Sequence, residues 1–127
     1  MKYLLDTHVL LWHYDDFGVL PQRILEIIEN PENELYVSSV SIWEIAIKKS
    51  LNKLEIDLTI DELYELLNSG PINLINIENK HLNVCSSLSF IHRDPFDRYL
   101  ISTAISENLT LITHDKDIQK YDIDWIW

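Results

Sequence analysis

The residues near the start of the chain, Lys2-Tyr3-Leu4-Leu5-Asp6-Thr7-His8-Val9-Leu10-Leu11-Trp12, carry the clearest indication of the architecture. Its first part is a short apolar run that ends on a carboxylate, which predicts a buried strand over residues 2–6. From Thr7 the apolar side chains take helical spacing, so a helix is predicted to begin directly after the strand. A strand that passes at once into a helix is typical of a sheet covered by helices.

The alternation of short apolar strands with amphipathic helices continues along the chain. Further strands are predicted over residues 35–37, 72–77, 109–113 and 123–127. Helices are predicted over residues 21–29, 39–49 or 41–49, 60–67, 80–88 and 94–107. Because parallel neighbours require crossover connections, this order predicts an α/β fold, a three-layer sandwich with a mostly parallel central sheet flanked by helices.

Length and composition indicate one folded unit. A chain of 127 residues with 46% hydrophobic residues suits a single domain, expected to span residues 1–127. The lone Cys85 cannot form an internal disulfide. Only residues 3–5 precede Asp6 as an apolar run, too short for a signal peptide or a membrane span. A cytoplasmic protein is therefore expected.

The charge argues against nucleic-acid binding through a basic face, because the formal net charge is −11. Action on a polyanion then requires bound metal cations, a local basic strip or a basic partner. The densest basic stretch is Lys48, Lys49 and Lys53. It fits a solvated helix end, or a strip that holds a phosphate backbone beside Glu44.

Acidic residues fall where a parallel sheet would gather them, just after strands or at the starts of helices. Clustered carboxylates repel unless a cation neutralises them, and oxygen ligands suit Mg²⁺ or Mn²⁺. No set of Cys and His with zinc spacing accompanies them. The pattern predicts a metal site at the carboxyl edge of the sheet, formed by Asp6, Glu44, Asp97 (with its neighbour Asp94) and Asp115.

Helix capping is the alternative for each of these acids, and spacing alone leaves it open. Asp6 and Asp115 suit caps of the helices that follow them. Glu44 fits a capping box with Ser41, and the segment 94–97 fits a cap followed by Pro at the first helical position.

The histidines show no ligand spacing and are interpreted as surface or capping residues, and the tryptophans as buried or interface residues. These residues are His8, His13, His81, His92 and His114, and Trp12, Trp43, Trp125 and Trp127.

Four segments resemble, in order, the acidic motifs of PIN-domain nucleases. The similarity spans nearly the whole chain and is greatest to small single-domain toxins of bacterial and archaeal toxin-antitoxin pairs, the virulence-associated protein C type. Its most specific element is Asp-Pro-Phe-Asp-Arg. The segments are residues 4–7, residues 41–45, residues 92–98 with 101–104, and residues 111–115.

The resemblance implies a set of ligands. It makes Asp6 and Asp97 direct metal ligands, Glu44 the third site acid and Asp115 a more variable fourth. Asp117 is a rival for the fourth position, although Asp115 follows its strand in the expected register.

Two further residues keep two interpretations each. Asp94 either caps the helix or holds a metal-bound water. Thr7 either hydrogen-bonds near the metal or phosphate, or only caps a helix.

The resemblance also implies activity and partners. It describes a Mg²⁺-dependent endoribonuclease, with Mn²⁺ as a substitute, that hydrolyses RNA phosphodiester bonds as a toxin. Partners would be a homodimeric second copy and a small antitoxin with a basic inhibitory segment and an amphipathic helix docked on aromatics such as Trp12 or Trp43.

Two other classes remain open. Asp6 stands where an aspartyl-phosphate nucleophile would, but the sequence Asp6-Thr7-His8 lacks the second Asp of haloacid-dehalogenase-type phosphatases. A non-catalytic protein-interaction module, with the acids acting only as caps, is the other.

Overall fold

The computed structural model describes residues 1–15 and 17–127. Its strands are β1 (Lys2–Leu5), β2 (Glu34–Ser38), β3 (Ile72–Ile75), β4 (Thr110–Ile112) and β5 (Trp125–Ile126). They form a five-stranded sheet in the order β3-β2-β1-β4-β5. Every pairing between them is parallel, which confirms the predicted parallel sheet.

Helices connect the strands and start at recognisable signals. They are α1 (Thr7–Asp15), α2 (Gln22–Glu29), α3 (Ser39–Ser50), α4 (Ile60–Ser69), α5 (Asn79–Ser87) and α6 (Pro95–Glu107), with 3₁₀ turns at Phe17–Val19 and Ile118–Lys120. Thr59 and Glu62 form a capping box at α4. Asp94 caps α6, which has Pro95 at its first position.

The sheet separates two apolar clusters, which confirms the predicted layers. Tyr3 and Leu5 of β1 belong to a cluster that includes buried residues of α1, α2, α3 and α4. Leu4, between them, belongs to a second cluster with residues of α6. Because successive side chains of a strand point to opposite faces, the two clusters lie on opposite sides of the sheet.

The observed elements differ from the predicted ones mainly at their ends. The third strand stops at Ile75 instead of residue 77. The capping box assigned to Ser41 and Glu44 is wrong, because α3 begins earlier and its cap is Ser38, whose side chain accepts the N–H of Val40 at 3.1 Å. Glu44 therefore lies inside the helix, where its carboxylate serves no cap.

The topology brings the acid-bearing segments to one edge. β1 and β4 are neighbours in the sheet, and the chain runs from β1 to β2 on one side and from β4 to β5 on the other, so their connections diverge from this point. Ligands in open parallel sheets bind at such a switch point. α6 runs back against the strands before β4, which puts its first turn at the same edge. Among the described helices, none is long and apolar enough to cross a membrane.

Candidate metal centre

Asp6 follows β1 directly and has only 4% of its surface exposed. Its Oδ1 accepts the N–H of Val9 at 2.9 Å, so it caps α1 as the capping alternative proposed. Its Oδ2 accepts the hydroxyl of Thr113 at 2.5 Å. Burial raises the pKa of Asp6 although both hydrogen bonds favour the ionised form. Capping thus accounts for one oxygen, and the other faces β4.

Asp97 lies in the first turn of α6. The cap of that helix is Asp94, whose Oδ1 accepts the N–H groups of Phe96 and Asp97 at 2.9 and 3.2 Å. Burial, followed by repulsion from Asp94, Glu44, Asp115 and Asp6 in that order, raises the pKa of Asp97 to about 8. A shift of this origin requires the acids to lie near one another in a poorly hydrated place.

Asp115, which follows β4, belongs to the acid cluster, whereas the Asp117 side chain pairs with a lysine. Asp115 Oδ1 accepts the N–H groups of Asp117 and Ile118 at 2.8 and 3.0 Å, which caps the following 3₁₀ turn. Its own N–H donates to the Thr113 hydroxyl at 3.1 Å. The Asp117 carboxylate is exposed and pairs with Lys120 at 3.0 Å. The geometry thus favours Asp115 over its rival as a member of the cluster.

Glu44 is buried on α3, with 3% of its surface exposed. Its Oε2 lies 2.7 Å from Lys48 Nζ, one helical turn away. Its Oε1 has no hydrogen-bond partner in the described part of the chain. A buried carboxylate oxygen without a donor is costly, so this atom is suited to receive a cation.

His92 is a member of the cluster that the sequence interpretation missed. Its Nε2 lies 3.0 Å from Asp97 Oδ2 and 3.4 Å from Asp115 Oδ2. The interpretation of the histidines as surface or capping residues is therefore wrong for His92. The contact with Asp115 spans 23 positions, and no local spacing signals it. Its place two residues before the Asp-Pro-Phe-Asp segment was the available clue.

The capping interpretation is confirmed for His81, which is fully buried and forms the capping box of α5 with Glu78. Its Nδ1 accepts the N–H of Glu78 at 3.2 Å, and its Nε2 lies 2.8 Å from Glu107 Oε1. Lys80 Nζ also lies 2.8 Å from Glu107 Oε1. A lysine already neutralises this group, so it ties α5 to α6 and does not resemble a metal site.

Asp6, Asp97 and Asp115 line an open cleft of about 270 Å³, and aromatic rings form its rim. The Trp12 ring centroid lies 5.7 Å from that of His8 and 5.8 Å from that of Trp127, which in turn lies 4.9 Å from His114. Trp12 is therefore a half-buried residue of the cleft. The residues that line the cleft are Asp6, His8, Trp12, Asp97, His114 and Asp115.

Thr7 forms a hydrogen bond between two of the segments that carry site acids. It is buried, and its hydroxyl donates to Ser41 Oγ at 2.9 Å. This bond joins α1 to α3, the helices that follow Asp6 and carry Glu44. Thr7 thus ties two acid-bearing segments together.

The residues present fit a hard divalent cation. The donor set is made of carboxylate oxygens, one of them buried and without a donor in the described part of the chain, and burial together with repulsion from neighbouring carboxylates raises the pKa of Asp97. Mg²⁺ and Mn²⁺ prefer such oxygen ligands, whereas zinc sites are usually built on Cys and His. The acids are placed where they could hold a metal ion.

Comparison with solved structures shows proteins with the same fold. Solved structures of the same fold include VapBC2 from Rickettsia felis bound to a DNA fragment from its promoter, with 18% identity and a TM-score of 0.74 over 99% of this chain and 98% of that chain. VapBC-1 from nontypeable Haemophilus influenzae has 21% identity and a TM-score of 0.72 over 99% and 97%. A toxin-antitoxin complex from Klebsiella pneumoniae has 20% identity and a TM-score of 0.67 over 98% and 96%.

No curated protein matches the chain. The family model of the PIN domain does match it, over residues 3–124. That range begins in β1 and includes every acid of the cleft as well as His92. Because the match covers nearly all of the sequence, the chain belongs to the PIN domain family.

Proposed function

We propose that the chain is a metal-dependent endoribonuclease that acts as the toxin of a toxin-antitoxin pair, with residues 1–127 as one nuclease domain. PIN domains are generally nucleases, which supports hydrolysis of a phosphodiester bond. The observation that carries the proposal is that Asp6, Asp97 and Asp115, from three separate segments of the chain, line one cleft. Burial, followed by repulsion from neighbouring carboxylates, raises the pKa of Asp97 to about 8, in keeping with this convergence. The proposal assigns the catalytic and metal-binding roles to Asp6, Glu44, Asp97 and Asp115.

Each residue has a distinct task in this proposal. Asp6 and Asp97 would hold the cation directly, and Glu44 and Asp115 would complete its surroundings. A bound Mg²⁺, or Mn²⁺ in its place, supplies a Lewis acid that lowers the pKa of water and stabilises negative charge on the phosphate. The hydroxyl of Thr113 keeps Asp6 in one orientation. The ring of Trp12 lines the cleft beside the acids, where it could contact the substrate.

The substrate is proposed to be a structured RNA rather than bulk RNA. A chain with a net charge of −11 repels a polyanion everywhere except near bound cations or local basic groups. Lys48, whose Nζ lies 2.7 Å from Glu44 Oε2, is such a group. Weak general attraction favours a substrate whose shape fits the cleft.

The partners are proposed to be a second copy of the chain and a small antitoxin with a basic inhibitory segment, all within the cytoplasm. The complexes from Rickettsia felis and Klebsiella pneumoniae support an antitoxin partner. Trp43 is 58% exposed, directly before Glu44 in the sequence, and its ring meets that of Phe96 at 5.2 Å. An apolar helix docked there would lie beside the acids.

The geometry gives less support to the two alternatives. An aspartyl-phosphate enzyme needs an accessible nucleophile, whereas Asp6 is 4% exposed and accepts a hydrogen bond on each oxygen. A purely structural role for the acids leaves the buried, unpaired Oε1 of Glu44 without a purpose.

The test is cleavage of a fluorescent structured RNA by the purified chain. Activity should vanish in chelator and return with Mg²⁺ or Mn²⁺, but poorly with Ca²⁺, a larger ion that acidifies water less. A DNA hairpin of the same sequence serves as the substrate control. Full RNA cleavage after verified removal of metal would refute the proposal.

A further inference from the structure

His92 lies between two of the proposed metal ligands. Its side chain is 12% exposed, and its Nε2 faces Asp97 Oδ2 at 3.0 Å and Asp115 Oδ2 at 3.4 Å. A histidine in such a place either binds the cation itself or orients the carboxylates that do. The two roles place the ring hydrogen differently. To bind a cation, Nε2 needs a free lone pair and must carry no hydrogen, whereas to orient the carboxylates Nε2 must carry a hydrogen that it donates.

The backbone N–H of Asp94 shows which of the two roles fits His92. Its N–H points at His92 Nδ1 at an N···N distance of 3.2 Å. A backbone N–H group only donates, so Nδ1 accepts and carries no hydrogen. The hydrogen of the neutral ring is then on Nε2, where it faces the two carboxylates. In this tautomer Nε2 is a donor and has no lone pair for a metal ion.

Hydrogen bonds with Tyr121 and Arg98 fix the loop that carries His92. The Tyr121 hydroxyl accepts the N–H groups of Ile91 and His92 at 3.1 and 2.9 Å and donates to Ser89 O at 2.7 Å. Arg98 Nη1 donates to Ser89 O at 3.0 Å and to the Tyr121 oxygen at 3.3 Å. Tyr121 and Arg98 are both buried. The backbone of His92 is therefore fixed by Tyr121, which follows the second 3₁₀ turn, and by Arg98 of α6.

We propose that His92 is a positioning residue: its Nε2–H group holds the carboxylates of Asp97 and Asp115 at a fixed separation and orientation for the cation, and the ring does not bind the metal. This inference rests on the proposed function and adds a residue to it. Outer groups of this kind typically change metal affinity about 10- to 100-fold when they are removed.

The experiment measures Mn²⁺ binding calorimetrically in two variants. In His92→Phe a ring of similar size remains but the donor is lost, so Mn²⁺ affinity should fall about 10- to 100-fold. In His92→Gln the side-chain amide can place an N–H group near the position of Nε2, so most of the affinity should return. Melting curves identify the folded variants. Equal Mn²⁺ affinity in wild type and a folded His92→Phe protein would overturn the inference.

A spectroscopic measurement separates orientation from ligation. Pulsed electron paramagnetic resonance of the Mn²⁺-loaded wild type should show no directly coordinated ¹⁴N. A strong ¹⁴N coupling that disappears in His92→Gln or His92→Phe would make His92 a ligand and overturn the inference, while leaving the proposed function intact. If the wild-type protein binds no Mn²⁺ at all, the proposed function fails and the inference falls with it.

Discussion

Thr113 donates its hydroxyl hydrogen to Asp6 Oδ2 at 2.5 Å, across 107 positions of the sequence. The same oxygen of Thr113 accepts the N–H of Asp115 at 3.1 Å. One buried hydroxyl thus connects the acid that follows β1 with the acid that follows β4. Because β1 and β4 are neighbouring parallel strands, this link sets the spacing of the two acids at the edge of the sheet.

Removal of this hydroxyl should weaken both the fold and the metal site. Thr113→Val keeps the shape but leaves the buried Asp6 oxygen without its donor, which typically costs about 1 to 3 kcal/mol. Thr113→Ser keeps the hydroxyl and is the matched control. Chemical denaturation and calorimetric Mn²⁺ titration should show losses in the valine variant and only small ones in the serine variant. Equal stability and equal Mn²⁺ affinity in the two variants would show that the hydroxyl does not position Asp6.

Replacement by Asn should have different effects on RNA cleavage at Asp94 and at Asp97. Asp94 caps α6, and Asn is about as good a cap as Asp, so Asp94→Asn should retain the fold and much of the cleavage activity. Asp97→Asn removes a proposed direct ligand and should abolish metal-dependent RNA cleavage while the fold remains. Cleavage assays at saturating Mg²⁺ and melting curves test both. Retained cleavage by Asp97→Asn would refute its assignment.

The sequence predicted the layers because strand and helix periodicities are local properties. It predicted the register of Asp115 after its strand for the same reason. It missed His92, whose partners come from α6 and from the segment after β4 and are brought together only by the packed sheet. It also misplaced the cap of α3, because two serines, Ser38 and Ser41, both satisfy the capping preference.

Asp115 and Asp117 form a second matched pair of variants. Asp115→Asn should lower Mn²⁺ affinity and RNA cleavage, because its carboxylate faces the cleft and contributes to the raised pKa of Asp97. Asp117→Asn loses only an exposed pair with Lys120 and should behave like wild type, since pairs in full contact with water contribute little to stability. A larger loss of metal affinity in Asp117→Asn would make Asp117 the fourth acid instead.

The stability of the metal-free protein should depend on pH through Asp97. Its pKa is about 8 in the folded state, above the ordinary value of 3.8, so the folded state binds this proton more tightly than the unfolded state does. This stabilising contribution is complete below the unfolded pKa and is lost as the pH rises through 8. Burial of Asp6 acts in the same direction.

Metal should therefore stabilise the fold more at pH 8 than at pH 6, because protons compete with the cation at the lower pH. Scanning calorimetry with and without Mg²⁺ measures this difference. Asp97→Asn should raise the melting temperature of the metal-free protein at pH 8 by a few degrees and remove most of the metal response. A melting temperature well below that of wild type would indicate instead that the carboxylate has a structural role.

Inhibition by the proposed antitoxin should depend on charge. Lys48 already places an ammonium 2.7 Å from Glu44, so a basic side chain from a partner could take a similar place among Asp6, Glu44 and Asp97 and exclude the cation. Reversal of the charges in the inhibitory segment should restore RNA cleavage, while an apolar helix docked near Trp43 still binds. Inhibition by the unaltered segment should weaken as salt rises. Cleavage assays and binding titrations across salt concentrations test this, and a charge-reversed segment that inhibits with unchanged potency would point to steric closure of the cleft.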